Sequence, residues 1–485
     1  MSLFATKSLA ELHVESERGV LRRSLGPWNL TTLGIGSIIG TGIFVLTGTA
    51  ASMHAGPALI ISMVIAAVAC AFAGLCYAEL AAMIPVSGSA YTYAYATFGE
   101  LIAWIIGWDL ILEYALSGAT VAIGWSGYFV SFLRTVGIDF PAALASAPGV
   151  LTTLPNGDII TGFFNVPAAA IVLAVSGLLT LGIRESANTN SVLVMIKSMV
   201  LVVFVVAGVS YINRDNLTPL IPPNSGTFGE FGWSGVLRGS AIIFFAYIGF
   251  DAVSTAAQEA KRPQRDLPLG ILLSLAICTV LYIAVAIVLM GIVHYDRLDV
   301  PDPLAVGIDA TGLTWLSPVI KTAALFGLFS TMLVQLLGQS RIFFSMSRDG
   351  LLPKLFSRVH PRFRTPHLST MITGSAMAVA AGLLPLTTLG QLVSMGTLLA
   401  FVLVCIGIII LRRTAPDLAR PFRTPWVPLV PILGALACLL QMVALPISTW
   451  VRLVVWLALG LLVYFGYGAR RSALRRPTEK GERAA

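Results

Sequence analysis

Apolar residues recur along this chain in runs of about 20, each long enough to cross a hydrocarbon layer of roughly 30 Å. About twelve such runs can be laid out, at residues 28–50, 56–82, 98–131, 163–183, 189–213, 233–259, 268–293, 317–348, 367–384, 388–412, 427–446 and 449–468. The pattern predicts an all-α polytopic membrane protein of about 12 transmembrane helices. Two of the runs are interrupted. The first carries GIGSIIGTGIF, Gly34 to Phe44, with four glycines in a segment otherwise apolar enough to span, and the sixth carries Gly249 and Asp251 in AYIGFD. In lipid, a broken helix is tolerated only where protein, water or a ligand takes over the freed backbone groups.

The two breaks are five spans apart, and five is odd, so a second unit on the same plan enters the membrane from the opposite side. The third run of each unit, 98–131 and 317–348, is the long one, and each follows a semi-apolar connector, MIPVSGSAYTYAY or VPDPLAVGIDATG. The resulting division is a tail at 1–27, a first inverted repeat at 28–213, a second at 233–412, two further spans within 427–468 and a tail at 469–485. The first tail can form a short amphipathic helix through Arg23, or be a solvated lead-in.

Composition agrees with the pattern: 56% of residues are hydrophobic, 11% are charged and the mean hydropathy is +0.86, which excludes an ordinary soluble domain. The net charge of +8 would suit an anionic partner, but its distribution follows membrane orientation. Arg22, Arg23, Arg184, Lys261, Arg262, Arg358, Arg412, Arg413, Arg470 and Arg471 fall at alternate ends of the spans, which puts both termini in the cytoplasm and makes nucleic acid unnecessary as a partner. The N-terminal tail is too charged for a secretory signal. All five cysteines lie in apolar spans and read as packing residues, and no His/Cys cluster has metal spacing.

Several polar residues change the picture. Asp109 and Glu113 are four apart in the third run and share one helical face, which should point into the bundle. Lys197 stands alone near the middle of SVLVMIKSMVLVVF. Burial disfavours the charged form of an ammonium, so its proton could exchange near neutral pH, although a snorkelling lysine is the plainer alternative. Around the first break, Gly36 and Gly40 also fit a helix-packing GxxxG face. If the segment is instead unwound at Gly40, the N–H groups of Thr41, Gly42 and Ile43 can hold a carboxylate at a helix N-terminus. Carbonyls near Ile38, and those of Phe245, Ala246 and Ile248 at the second break, can accept from an ammonium. A site with both poles suits a zwitterion, and the abundant ones are free α-amino acids. No nucleophile–base pair stands out, so an enzyme is disfavoured.

GIGSIIGTGIFVLTG, SGSAYTYAYATFGELIAWIIGWDLILEY, FFAYIGFDAVSTAAQEAKRPQRDLPLGI and GQSRIFFSMSRDGLLP resemble the amino acid–polyamine–organocation superfamily, in particular its cationic amino acid transporter branch. The resemblance covers the first ten spans. It implies the inverted-repeat fold of the sodium-coupled leucine transporter, alternating access around a midplane site, no cofactor, and a proton as coupling ion, with Lys197 in place of sodium against the first break. It also implies Phe245 as a gate over substrate, and Glu113 and Asp251 in a network near Thr41, while Asp109 reads as a packing residue. Gln335 stands where eukaryotic relatives have a small serine, and its bulk puts lysine or arginine specificity in doubt. The expected partners are a free L-amino acid and membrane lipid in a plasma (bacterial inner) membrane. An exchanger on the same fold, or a non-transporting amino-acid receptor, are the alternatives. No oligomeric state is indicated, and a small membrane-protein partner is possible.

Overall fold

A computed structural model describes residues 6–7, 24–86, 89–153, 159–182, 187–361, 363 and 365–473. Helix α1 (Pro27–Ile38) starts with proline in its first turn, where no N–H is needed, and Thr31 donates its hydroxyl back to the Pro27 carbonyl at 2.9 Å. It stops at Ile39, whose backbone is extended (φ −71°, ψ 96°). The chain coils again through a π-helical turn at Gly42–Leu46, then α2 (Thr47–Ala50) and a second π turn at Ala51–Ala55. After a bend at Gly56 and Pro57 comes α3 (Leu59–Met83). Short α4 (Ser89–Thr97) leads into long α5 (Glu100–Thr135), and α6 (Val166–Thr180) and α7 (Ala187–Gly208) close the first half.

The second half repeats the order. Helix α8 (Gly232–Ile243) tightens into a 3₁₀ turn at Phe244–Tyr247, the chain extends at Ile248, and α9 (Ala252–Thr255) resumes beyond the break. Then follow α10 (Pro263–Ile292), short α11 (Pro303–Ala310), long α12 (Leu316–Arg348), α13 (His367–Leu383) and α14 (Leu386–Thr414). The connectors before the two long helices are thus themselves helical, α4 in one half and α11 in the other. Outside this scheme lie α15 (Leu429–Ala444) and α16 (Ile447–Val463).

Among the described residues, eight helical segments are long and apolar enough to cross a membrane, fewer than the twelve runs read from the sequence. The protein is an all-α multi-pass membrane protein on that ground. The difference has a geometric cause. The first run is cut at residues 39–41, and its second part ends at Ala55, before Gly56 (φ +58°) turns the chain into α3, so the two fall within one counted segment, Gly42–Met83. Helices α6, α13 and α15 have only 15, 17 and 16 residues, a rise of about 23–26 Å at 1.5 Å per residue.

The two long helices form the central seam. They run antiparallel: Gln335 of α12 meets Ser117 of α5, Gly338 lies under the Tyr114 ring, and Met346 meets Gly107. Each step moves down α12 and up α5 together. The segments entering α1 and leaving α9 are also joined. Ser24 and Leu25 N–H groups both donate to the Glu259 carbonyl at 2.9 Å, and Lys261 N–H returns to the Leu25 carbonyl at 2.8 Å. Arg341 of α12 adds a 3.0 Å ion pair to the Glu259 side chain.

Two features were not foreshadowed. The loop after α5 contains a small antiparallel ladder, β1 (Leu151–Thr153) with β2 (Ile159–Thr161). The loop after α14 is docked by Glu79 of α3, a buried carboxylate. It accepts from Arg412 Nε and Nη2 at 2.9 and 2.8 Å and from the Thr424 N–H at 2.6 Å. The expected N-terminal amphipathic helix, the charges of the loop at 183–186 and the tail from residue 474 lie outside the described residues.

Candidate functional site

The two breaks lie against each other. A Cβ on Gly42 would come within 2.3 Å of the Ala246 Cα, and one on Gly249 within 2.8 Å of the Ser37 carbonyl carbon. Residue 37 thus meets 249 and residue 42 meets 246, so the unwound segments cross antiparallel. Glycine is required at 249 on a second count, because its φ is +120°, a region L side chains rarely adopt. Ser37, Ile38, Thr41, Phe245, Ala246 and Ile248 are all buried around the crossing.

The C-terminal end of α1 presents carbonyls that have no following turn to accept from, and it carries the negative end of the helix dipole. Lys197 of α7 occupies that position. It is fully buried, and its Nζ donates to the Gly36 carbonyl, to the Ile39 carbonyl at 3.0 Å and to Thr331 Oγ1 at 3.1 Å. An ammonium has three donors, and here it has three acceptors, which is the condition for burying such a charge at tolerable cost. The snorkelling alternative does not apply to a side chain with this placement. The Thr331 hydroxyl of α12 lies 2.9 Å from the same Ile39 carbonyl, and Tyr282 of α10 donates its hydroxyl to the Ile38 carbonyl at 2.9 Å. Ile38 therefore keeps a single lone pair for any further donor.

On the other side of the break, the first N–H groups of the resumed helix, at Thr41, Gly42 and Ile43, precede its first hydrogen bond, Phe44 N–H to the Gly40 carbonyl at 3.3 Å. The Thr41 hydroxyl turns to the Thr120 carbonyl of α5, at 3.4 Å. At the second break the Phe245 carbonyl accepts from the Ile248 N–H at 3.2 Å, so the 3₁₀ turn itself uses it. Gln335 Nε2 donates to the Ser117 hydroxyl at 2.9 Å, which fixes the amide against α5 instead of leaving it to swing.

The carboxylates differ from their expected placement near Thr41. Thr41 contacts Thr120 and Gly124, whereas Glu113 lies seven residues earlier on the same helix, about 10 Å along the axis. Glu113 shares its surroundings with Asp251, Asp109 and Thr397. Asp251 accepts from the Tyr114 hydroxyl at 3.4 Å through Oδ2, and its Oδ1 has no partner among the described residues. Asp109 is buried as expected, but hydrogen bonding does not account for it: neither oxygen has a partner among the described residues.

Thr331, Tyr282, Ser117 and Ser37 are site residues that the sequence alone did not single out. Each is a hydroxyl in an apolar run, and its spacing gives no sign that Thr331 and Tyr282 meet carbonyls of α1, that Ser117 meets the Gln335 amide, or that Ser37 lies against Gly249. Among the described residues no group of His, Cys, Asp and Glu is placed to hold a metal ion.

Helices that cross a membrane around two interrupted segments, with backbone groups and one lysine at the crossing, define a multi-pass permease-type membrane protein. The chain belongs to the amino acid permease family, whose sequence profile matches residues 25–465. It is a member of a transporter family and not an enzyme family. It is 46% identical over 475 residues to a methylthioribose transporter of Bacillus subtilis, covering 98% of this chain and 100% of that protein. It is 46% identical over 477 residues to the branched-chain amino acid permease BcaP of the same organism, covering 98% and 99%. A vacuolar cationic amino acid transporter 4 of Arabidopsis thaliana is 39% identical over 419 residues, 86% of this chain and 68% of the relative.

Proposed function

We propose that this protein is a proton-coupled symporter of free amino acids, working by alternating access on a twelve-span, five-plus-five inverted-repeat fold of the cationic amino acid transporter type. It would reside in a bacterial inner (plasma) membrane with both termini cytoplasmic. The observation that carries this reading is Lys197, a buried ammonium whose acceptors are the end carbonyls of the first broken helix.

In this reading the substrate carboxylate docks on the N–H groups of Thr41, Gly42 and Ile43, and its ammonium on the carbonyls of Ala246 and Ile248. The side chain lies toward Phe245 and the Gln335–Ser117 pair. That pair is uncharged, which favours a neutral side chain, in keeping with a relative named for branched-chain amino acids. Because Gly42 and Ala246 touch, a ligand reaches the crossing only when the segments part. A proton leaving Lys197 removes the positive charge at the Gly36 and Ile39 carbonyls, so proton release loosens the α1 end, which Thr331 and Tyr282 continue to hold through neutral hydrogen bonds.

Lys197→Met tests the reading. Methionine fills similar space without a charge, and Thr331 remains to donate to Ile39. In proteoliposomes the variant should still bind amino acid and lose uptake driven by an inward proton gradient. Unchanged pH-gradient-driven uptake would refute the coupling. The ligand itself would come from a thermal-shift screen of the twenty amino acids, with methylthioribose included because an equally similar relative is named for it.

A further inference from the structure

Asp109 is 1% exposed, and both its oxygens are without a partner among the described residues. Its carboxylate faces backbone: a Cβ on Gly396 of α14 would come within 2.7 Å of Oδ1, so only glycine leaves room for it there. Its own helix offers Glu113 one turn further on, where i and i+4 side chains stand about 5–6 Å apart. No cation is brought to it by the packed helices α12, α14 or α16 among the described residues. Of the charges along that part of α12, Arg341 is turned to Glu259 and Thr255 and Arg348 lies in the last turn; α4 contributes Tyr91, whose hydroxyl donates to Asp349, and α16 the Trp456 ring stacked on Trp108.

A carboxylate held this way, in a bundle of a membrane protein, is a poor packing residue, since leucine or asparagine would fit at lower cost. As a proton carrier it has a purpose. Asp251, Glu113 and Asp109 descend in order from the second break along α5, and Asp109 is the last of them before Glu100, which begins the helix nine residues earlier.

We propose that Asp109 is a second proton-binding site of this transporter, taking the proton from Glu113 and passing it toward the Glu100 end of α5. The step breaks the O–H bond of the Glu113 carboxylic acid and forms one on the Asp109 carboxylate, so one proton moves and nothing is oxidised or reduced. The proposal rests on the proton-coupled reading above.

The test uses the full chain in proteoliposomes, with the amino acid that gives the largest thermal shift as substrate and a pH-sensitive dye inside. Wild type should accumulate substrate under an inward proton gradient with acidification of the lumen. Asp109→Asn should keep binding, and counterflow at equal pH, within about twofold, and lose gradient-driven uptake by roughly tenfold or more, below the ~100-fold that a positioned proton-transfer group typically contributes. Asp109→Glu, which restores a carboxyl, should recover it. If Asp109→Asn retains gradient-driven uptake, the site is wrong and the coupling stands. If counterflow falls in step with uptake, Asp109 is structural and the proposal fails. If wild type ignores the gradient, the proton-coupled reading itself fails first. Should the asparagine variant not insert, Asp109→Ser is judged by the same outcomes.

Discussion

Gly42→Ala is the smallest change that pries the two broken helices apart. Its new Cβ would sit 2.3 Å from the Ala246 Cα and 2.5 Å from the Ala246 Cβ, whereas carbon atoms rest at about 3.5–4.0 Å. The segments must therefore separate by more than about 1 Å, and the obstacle is backbone, which cannot rotate away. Overpacking of this kind costs about 1–3 kcal/mol, and all of it falls on the conformation in which the breaks touch. At about 1.4 kcal/mol per factor of ten, the closed arrangement loses roughly 5- to 150-fold against open ones. Gly40→Ala is the control two residues away, because its Cβ would meet only the Thr331 methyl at 3.1 Å, a side chain that can yield by a few tenths of an ångström. Hydrogen exchange of the amides at 246–249 reads the difference, since protection follows the opening equilibrium. Exchange should rise by roughly the same 5- to 150-fold in Gly42→Ala and barely change in Gly40→Ala. Apparent amino-acid affinity should rise only in the former, because the parted segments are the arrangement a ligand reaches. Equal exchange in the two variants would refute the antiparallel contact and the site built on it.

Two further outcomes follow from side-chain geometry. Glu79→Ala leaves Arg412 and the Thr424 N–H without their acceptor, and breaking a buried ion pair from one side costs about 3–5 kcal/mol; detergent melting should fall by several degrees and the loop after α14 should become open to protease, and unchanged melting would show that the loop docks by other means. Gln335→Ser opens space beside Ser117 and removes the amide that donates to it, so thermal-shift ranking should move toward longer side chains such as arginine, and an identical ranking would take Gln335 out of the substrate pocket.

The hydropathy runs located both breaks but left a packing face open as the alternative at the first, and it is geometry, with Ile39 extended and Gly249 at a φ of +120°, that decides for interruption. Lys197 was legible because a charge at mid-span must find acceptors. What it finds could not be read. Gly36 and Ile39 lie about 160 residues away in sequence, with separations of 161 and 158, and only the packing of α7 on α1 brings them together. The eight long helices are fewer than the predicted twelve because hydropathy counts residues, while the first run is interrupted at Ile39 and α6, α13 and α15 have only 15, 17 and 16 helical residues. Glu79 and its loop were hidden for a third reason. An acidic residue near the end of a run reads as a boundary, and nothing local distinguishes it from an anchor for Arg412, 333 positions further on.

The strand-like pairing of Leu25 with Ala260 and the crossing of residues 37–42 with 246–249 give the two broken helices two attachment points at different depths. A pair of rods pinned at two places scissors only when one of the pins is released. A tilt of α1 alone strains both attachments, so α8 feels it at the crossing and α9 at the backbone pairing beyond its end. A ligand that parts the crossing leaves the Leu25–Ala260 pairing as the remaining joint between the two broken helices.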